Sequence, residues 1–504
     1  RQKAASSLTL QQCPTNDMPG KIRGRKMSTL DVQKLKDDAV EWALTHGVAF
    51  KESSYSAVHT PFTLTPTPIS RKSYQYLKNA TGILSKLIYS VSEDHDFLYS
   101  AIYPIKAGNA FFSALLNMHQ QIHSSSRHAP RLPLLIMRSD FMDDNRDGFR
   151  LIEFNGIAAG MGPFGQRIHD LHHYLQRQCP AVFSDLSNQA TGALVDNQAI
   201  EGLSAAICQA TCRIKQEFGD PGPARFLMIV QENENNVFDQ HLLELALQQK
   251  GIETHRRTFR ELHNQLSTGA DNRLILEGVG PLDTVYLRAG YQYSDYEAFN
   301  IDEQECCQAL MATRVFIEQH RVAVNATVGQ QLATSKRVQM LLSQLGYDEF
   351  VAFGLTLQEA KIAKTILGEM LPISPDSINL AKESPSETWV LKNQGEGGGH
   401  CLFGADILTK LTELTPQQYQ SWSLMRRLHP QPRAMPTLIV RKGELHKVND
   451  LISELGMFSV QTDNNPSSAE HSFAGYLIRS KSAESTEGGV HSGQGVLDSL
   501  VYSD

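Results

Sequence analysis

No run of apolar residues approaches the roughly 20 needed to cross a bilayer as a helix, so the chain predicts no membrane partner. No CxxC pair occurs among the seven cysteines, Cys13, Cys179, Cys208, Cys212, Cys306, Cys307 and Cys401. Their odd number and wide scatter exclude a disulfide scaffold or a zinc ribbon and predict reduced thiols in a cytoplasmic protein. Cys208 and Cys212 stand one helical turn apart without a matching pair and read as small buried residues. Positive charge is not in excess either. Lys and Arg number 47 against 54 Asp and Glu, a net charge of -7, which argues against a nucleic-acid or anionic-membrane partner. No internal repeat is visible. The first 27 residues lack the apolar core of a secretory signal and read as a disordered basic tail.

What is present is globular: 41% hydrophobic and 20% charged residues over 504 positions, too many for one ordinary core. Ordered structure is expected from about Ser28, where Ser28 and Asp31 form a capping box ahead of a helix running to Gly47. Helical patterns dominate to about Arg131. "RLPLLIMRSD" and "FRLIEFNG" then read as strands, and a helix follows around "RIHDLHHYLQRQ". From Pro221 the rhythm changes. "ARFLMIVQE", "DQHLLELALQQKG", "IETHRRTF" and "DTVYLRAGY" alternate as strand, helix, strand and strand, which predicts a small α/β unit ending before "QQLATSKRVQMLLSQLG". The remainder is strands with glycine loops, so the fold class is mixed α+β and α/β.

The densest chemistry lies in "VLKNQGEGGGHCLFG", Val390 to Gly404. The flank reads as a strand ending near Lys392, followed by the bare backbone of Gly395, Gly397, Gly398 and Gly399. Backbone N–H groups of such a loop close on phosphate oxygens. Lys392 adds a cation, and Glu396 next to phosphate requires Mg²⁺ between them. This is not the usual P-loop, whose lysine follows its glycines. A flexible turn is the competing reading.

Two more constellations point the same way. "RLIEFNG" sets Glu153 and Asn155 two apart on a strand, so both share one face. An acid beside an amide oxygen suits Mg²⁺, and a solvated strand face is the alternative. "LIRSKSAESTEGGVHSGQG" sets Arg479 and Lys481 two apart ahead of a second glycine loop. Paired cations neutralise phosphate or carboxylate, although basic residues also guard exposed edge strands. Glu454, in the apolar "LISELGMF", needs a partner. Together these suit ATP with a metal and a second anionic substrate.

"LIEFNGIAAGMGPFG", "QENENNVFDQ", "LRAGY", "QQLATSKRVQ", "LKNQGEGGGHCLFG", "LISELGMFSV" and "LIRSKSAESTEGGV" occur in the order found in eukaryotic-type glutathione synthetases, and the chain resembles that family from about Ser28 to its end. The resemblance implies an ATP-grasp fold with a lid, a homodimer, and ATP-dependent joining of γ-glutamylcysteine to glycine through an acyl phosphate. It implies four segments: the tail 1–27, an N-terminal part of the core 28–222, an inserted α/β substrate domain 223–334, and a C-terminal part with the lid 335–504.

Residue by residue, the resemblance assigns Mg²⁺ to Glu153, Asn155 and Glu396. It assigns ATP to Lys336, Lys392, Gly397, Gly398, Gly399, Phe403, Met425, Leu428, Glu454, Lys481 and Glu487. The substrate side takes Arg138, Ile157, Gly160, Glu234, Asn235, Asn236, Gln240, Arg288 and Tyr291, and the product end takes Arg479, Val490 and His491. Arg479, Lys336 and Lys392 carry the catalytic charge. Several positions depart from the family pattern. "GIAAG" stands where serines are usual. Cys401 and Phe403 replace Asn and Tyr, and Arg426 and Arg427 replace an acid–base pair. Glu487 stands for Asp, and His491 for a small residue.

Overall fold

The computed structural model describes residues 29–124, 131–187, 192–298, 307–395, 401–463, 472–486, 488–491 and 493–504. The basic tail, Ser28, the lid residues Glu396, Gly397, Gly398 and Gly399, and Glu487 lie outside them.

One sheet of eight strands organises the molecule. Its order is Glu444–Val448, Thr437–Arg441, Phe62–Thr63, Val496–Asp498, Phe473–Ser482, Leu451–Gln461, Leu135–Asp144 and Gly148–Asn155. Alternate residues of its long strands enter different cores, as the two-residue period of a strand requires. Tyr476 and Ile478 join one cluster with Leu77, Leu84 and Leu87 of the helix Arg71–Glu93. Leu477 and Phe458 join the other, with Ile168 and Leu171 of Gly162–Gln178 and Leu203 and Ile207 of Ala199–Phe218. Both faces are therefore covered, which explains why these strands read as near-continuous apolar runs.

The strand Phe473–Ser482, carrying Arg479 and Lys481, is interior to this sheet and paired on both sides. The exposed-edge reading of that cation pair is thereby removed. Four short strands, Ala49–Lys51, Ala57–His59, Phe62–Thr63 and Thr67–Ile69, precede the helix Arg71–Glu93, in a region whose pattern predicts helix. Runs of two or three residues are too short to show a period of two.

The α/β unit forms a parallel sheet in the order Ala323–Asn325, Thr284–Leu287, Arg225–Ile229, Glu253–Arg257. A third, antiparallel sheet runs Met370–Pro372, Trp422–Arg426, Trp389–Asn393, Cys401–Phe403. Among the described residues, no helix is long and apolar enough to cross a membrane.

Candidate functional site

A cleft of about 530 Å³ opens where the three sheets meet. Its floor comes from four neighbouring strands of the large sheet. Glu454 lies directly opposite Arg479, Asp140 opposite Glu153, and Arg138 opposite Asn155. Cross-strand neighbours stand close enough to pair. Arg479 Nη2 lies 3.0 Å from Glu454 Oε2 and 2.9 Å from Asp140 Oδ2, and Lys481 Nζ lies 3.0 Å from Glu454 Oε1. Arg138 clamps Asp140 with two bonds, Nε to Oδ1 at 2.6 Å and Nη2 to Oδ2 at 2.8 Å. Room for that clamp comes from Gly456 on the adjacent strand. A Cβ there would meet Arg138 Cδ at 2.7 Å and Asp140 Oδ1 at 2.9 Å.

Two lysines enter from the side. Lys336 begins the helix Lys336–Gln344, capped by Ser335, and its Nζ reaches Glu153 Oε2 at 3.5 Å and the Gly395 carbonyl at 2.8 Å. Lys392 Nζ donates to the Ile152 carbonyl at 2.8 Å. The pairing of Gly148–Asn155 slips between Asp140 and Phe141, leaving Ile152 as the extra residue of a bulge. A bulge turns a carbonyl out of the ladder, and here a lysine takes it up.

Five cations, Arg138, Lys336, Lys392, Arg479 and Lys481, thus face three carboxylates, Asp140, Glu153 and Glu454. Burial opposes ionisation of Glu153, but Lys336, Lys392, Arg479 and Arg138 outweigh it and hold the carboxyl at about 2. Burial likewise opposes ionisation of Glu454, and Arg479 and Lys481 bring it below the usual range. Burial disfavours the charged Arg479, while Asp140, Glu454 and Glu153 more than restore it. These shifts favour the charged forms of Glu153, Glu454 and Arg479, and the cations of the floor outnumber its carboxylates, a surplus for an anionic ligand.

The opposite end lies at the carboxyl ends of two parallel strands, the usual place for a ligand crevice in such sheets. Arg288 follows Thr284–Leu287. Its Nη1 pairs with Asp239 Oδ2 at 3.0 Å, and its Nη2 lies 3.9 Å from Glu234 Oε1. Burial raises the Glu234 carboxyl despite Arg288. The loop 156–161 closes this end. Ala158 has φ 51 and Met161 φ 68, conformations that non-glycine residues seldom take. Ala158 N donates to the Leu287 carbonyl at 3.3 Å and Met161 N to Asp239 Oδ2 at 2.9 Å, so tertiary bonds hold the loop in place. Arg138 Nη1 also donates to the Gly160 carbonyl at 3.0 Å.

The cleft brings together Arg138, Glu153, Asn155, Ile157, Gly160, Glu234, Asn236, Arg288, Tyr291, Lys336, Lys392, Phe403, Met425, Leu428, Glu454, Arg479, Lys481, Val490 and His491. Asn235 is exposed outside the lining, its carbonyl accepting from Lys51 N at 2.8 Å. Gln240 is buried behind Glu234 and donates to it at 2.5 Å. The His491 ring packs on Phe50 with centroids 4.4 Å apart. Burial, followed by Arg288, lowers its pKa.

Sequence reading passed over Asp140 and Asp239, which fix Arg138, Arg479 and Arg288. Asp140 had a signal, since in "MRSD" it sits two from Arg138 on one strand face. Asp239 lies on the helix Val237–Gln249, and its sequence neighbours give no sign of Arg288. Arg426 and Arg427 also line the cleft. The Arg427 guanidinium stands 5.4 Å from the Phe403 ring centroid and that of Arg426 5.7 Å from the Trp389 ring, so these side chains, and not backbone alone, shape that wall.

Residues 30–502 match the family model described as eukaryotic glutathione synthase, ATP binding domain. The chain is 29% identical over 482 residues to the glutathione synthetase of Homo sapiens, covering 93% of this chain and 96% of that one. It is 29% identical over 484 residues to the chloroplastic glutathione synthetase of Solanum lycopersicum, covering 93% and 84%. A glutathione synthetase-like effector from Globodera pallida, solved in its apo form, has a similar fold, with a TM-score of 0.71 at 19% identity over 95% of this chain and 98% of that one.

Proposed function

The chain belongs to the eukaryotic glutathione synthases, and on that premise we propose that it ligates γ-glutamylcysteine to glycine with ATP in this cleft. The surplus of fixed cations on the cleft floor carries the reading, because two anions must be pressed together before a bond forms. Lys336, Lys392 and Lys481 take the ATP phosphates, with Phe403, Met425, Leu428 and Glu454 along the nucleotide. Arg288, Glu234, Asn236, Tyr291 and Arg138 take γ-glutamylcysteine. Arg479, Val490 and His491 stand at the glycine end. A mixed eight-stranded sheet and an antiparallel one at the cleft fit an ATP-grasp core, and the family resemblance adds a lid and a homodimer.

The donor chemistry fits Mg²⁺. Glu153 stays ionised with 27% of its side chain exposed, and Asn155 spends its amide nitrogen on Asp140 at 3.0 Å, leaving its oxygen to bind. Bound there, the ion would offset charge on the transferred phosphoryl group.

A carboxylate is a poor electrophile. Its oxygen attacks the γ-phosphorus, ADP leaves, and an acyl phosphate results. The glycine amine then attacks the carbonyl, forming the amide, losing a proton and expelling phosphate. Arg479 steadies the carboxyl oxygens in both steps, Lys336 and Lys392 the phosphoryl oxygens, and closure of the glycine loops excludes water.

The test uses γ-glutamylcysteine labelled with ¹⁸O in its cysteinyl carboxylate, incubated with ATP, Mg²⁺ and a set of amines. One labelled oxygen should leave with each phosphate, and glutathione should be the main product with glycine. Unlabelled phosphate would remove the ligase reading. Labelled phosphate with a preference for β-alanine would instead redefine the amine.

A further inference from the structure

Away from the cleft, three imidazoles converge. His95 opens the helix His95–Ile102. His119 and His123 lie four apart on Ala110–His123, hence on one helical face. One ring nitrogen from each lies within 4.8 Å of the other two. The ring centroids are 3.6 Å apart for His95 and His123, 4.6 Å for His119 and His123, and 5.2 Å for His95 and His119.

These rings have unmet needs. His119 is buried, and among the described residues its Nε2 has no hydrogen-bond partner; the buried Nδ1 of His95 has none among them either. A buried polar nitrogen left unpaired is costly, and ring packing alone does not relieve it. We propose that His95, His119 and His123 bind one divalent transition-metal ion of the zinc type, with the fourth position open to water.

The chemistry selects that class. Imidazole nitrogens suit Zn²⁺ and its neighbours and disfavour Mg²⁺, which takes the oxygen donors of the cleft. His123 is exposed, giving the ion a way in and a water its place. The neighbouring cation Arg131 acts electrostatically on the His119 imidazole. Arg131 is itself engaged by Glu318 at 3.5 Å.

The site would pin two helices beside the nucleotide end of the cleft. Arg337, next to Lys336, donates its Nε to the Ala101 carbonyl at 3.2 Å, and Ala101 lies on the helix opened by His95. A metal there ties the His95 helix to that of His119 and steadies the support under Lys336. Its role is structural, and the ligation reaction needs nothing from it.

The experiment uses the full chain without a histidine tag, stripped with chelator and dialysed against Zn²⁺ in excess Mg²⁺. One zinc should be retained per chain, Co²⁺ should give the visible absorption of a four-coordinate ion, and zinc should raise the unfolding temperature. His123→Ala, at an exposed position, should fold, keep its ligase activity and lose zinc retention. His95→Gln should do the same. Absence of retained zinc in the wild type overturns the proposal. So does zinc retention unchanged in both variants, which would place the ion elsewhere.

Discussion

Glu153 Oε2 stands 3.5 Å from Lys336 Nζ, an ion pair between a strand of the large sheet and the first residue of a helix. In the proposed reaction the same carboxylate would hold Mg²⁺ and the same ammonium would meet phosphate, so ligand binding would exchange one set of ionic partners for another.

Replacing Glu153 by Gln should lower turnover by about 100-fold or more at ordinary Mg²⁺, since one fixed charge is lost where phosphoryl charge develops. The fold should survive. Its pKa near 2 lies below the usual carboxylate value, so its ionised form stabilises the native state above the unfolded pKa. That contribution fades as the pH falls from about 4.5 towards 2. Thermal unfolding of wild type and E153Q across this window checks it: the wild-type advantage should shrink on acidification. An advantage that grows would contradict the assignment.

Asp140→Asn tests the buried clamp. The carboxylate holds Arg138 and Arg479 together, so its loss leaves two guanidinium groups under-neutralised. Breaking a buried pair from one side costs about 3 kcal/mol. Urea denaturation should show a loss of that order, and kcat should fall because Arg479 is no longer aimed. An unchanged unfolding midpoint would show that the clamp carries no stability.

Gly488→Ala tests the second loop. A Cβ there would meet Glu454 Oε1 at 2.7 Å and its Cδ at 2.9 Å. Either the loop or the acid must shift, disturbing the partner of Arg479 and Lys481. KM for ATP should rise about tenfold, the cost of one modest interaction, while γ-glutamylcysteine binding without ATP stays near normal. Isothermal titration with each ligand separates the two.

His491→Ala should change amine choice. Its ring fills space beside Val490 and packs on Phe50. Removing it should raise kcat/KM for β-alanine relative to glycine by about tenfold, the lower end of what one methylene decides in a fitted pocket. A fixed ratio in competition assays would show that His491 does not border the amine.

Much of the site was legible because it is local. Lys392 near a strand end and the same-face pairs Glu153 with Asn155 and Arg479 with Lys481 follow from a period of two. The small parallel unit was legible for the same reason, as strand and helix alternate there with clear punctuation. The short strands between Ala49 and Ile69 were not: Ala49–Lys51 and Ala57–His59 pair with each other but are too short to show a period, and Phe62–Thr63 and Thr67–Ile69 owe their state to Thr437–Arg441 and Leu500–Tyr502, hundreds of residues away.

The sequence by itself determined which groups exist and on which side of each strand they stand, since backbone geometry makes that periodic. Only the tertiary structure decided their partners. Nothing in the order of residues says that Glu454 faces Arg479, that a bulge at Ile152 hands a carbonyl to Lys392, or that Asp239 holds both Arg288 and the loop at Met161. Strand register, bulges and helix docking are settled by burying both faces of a sheet at once, and that is a property of the whole chain.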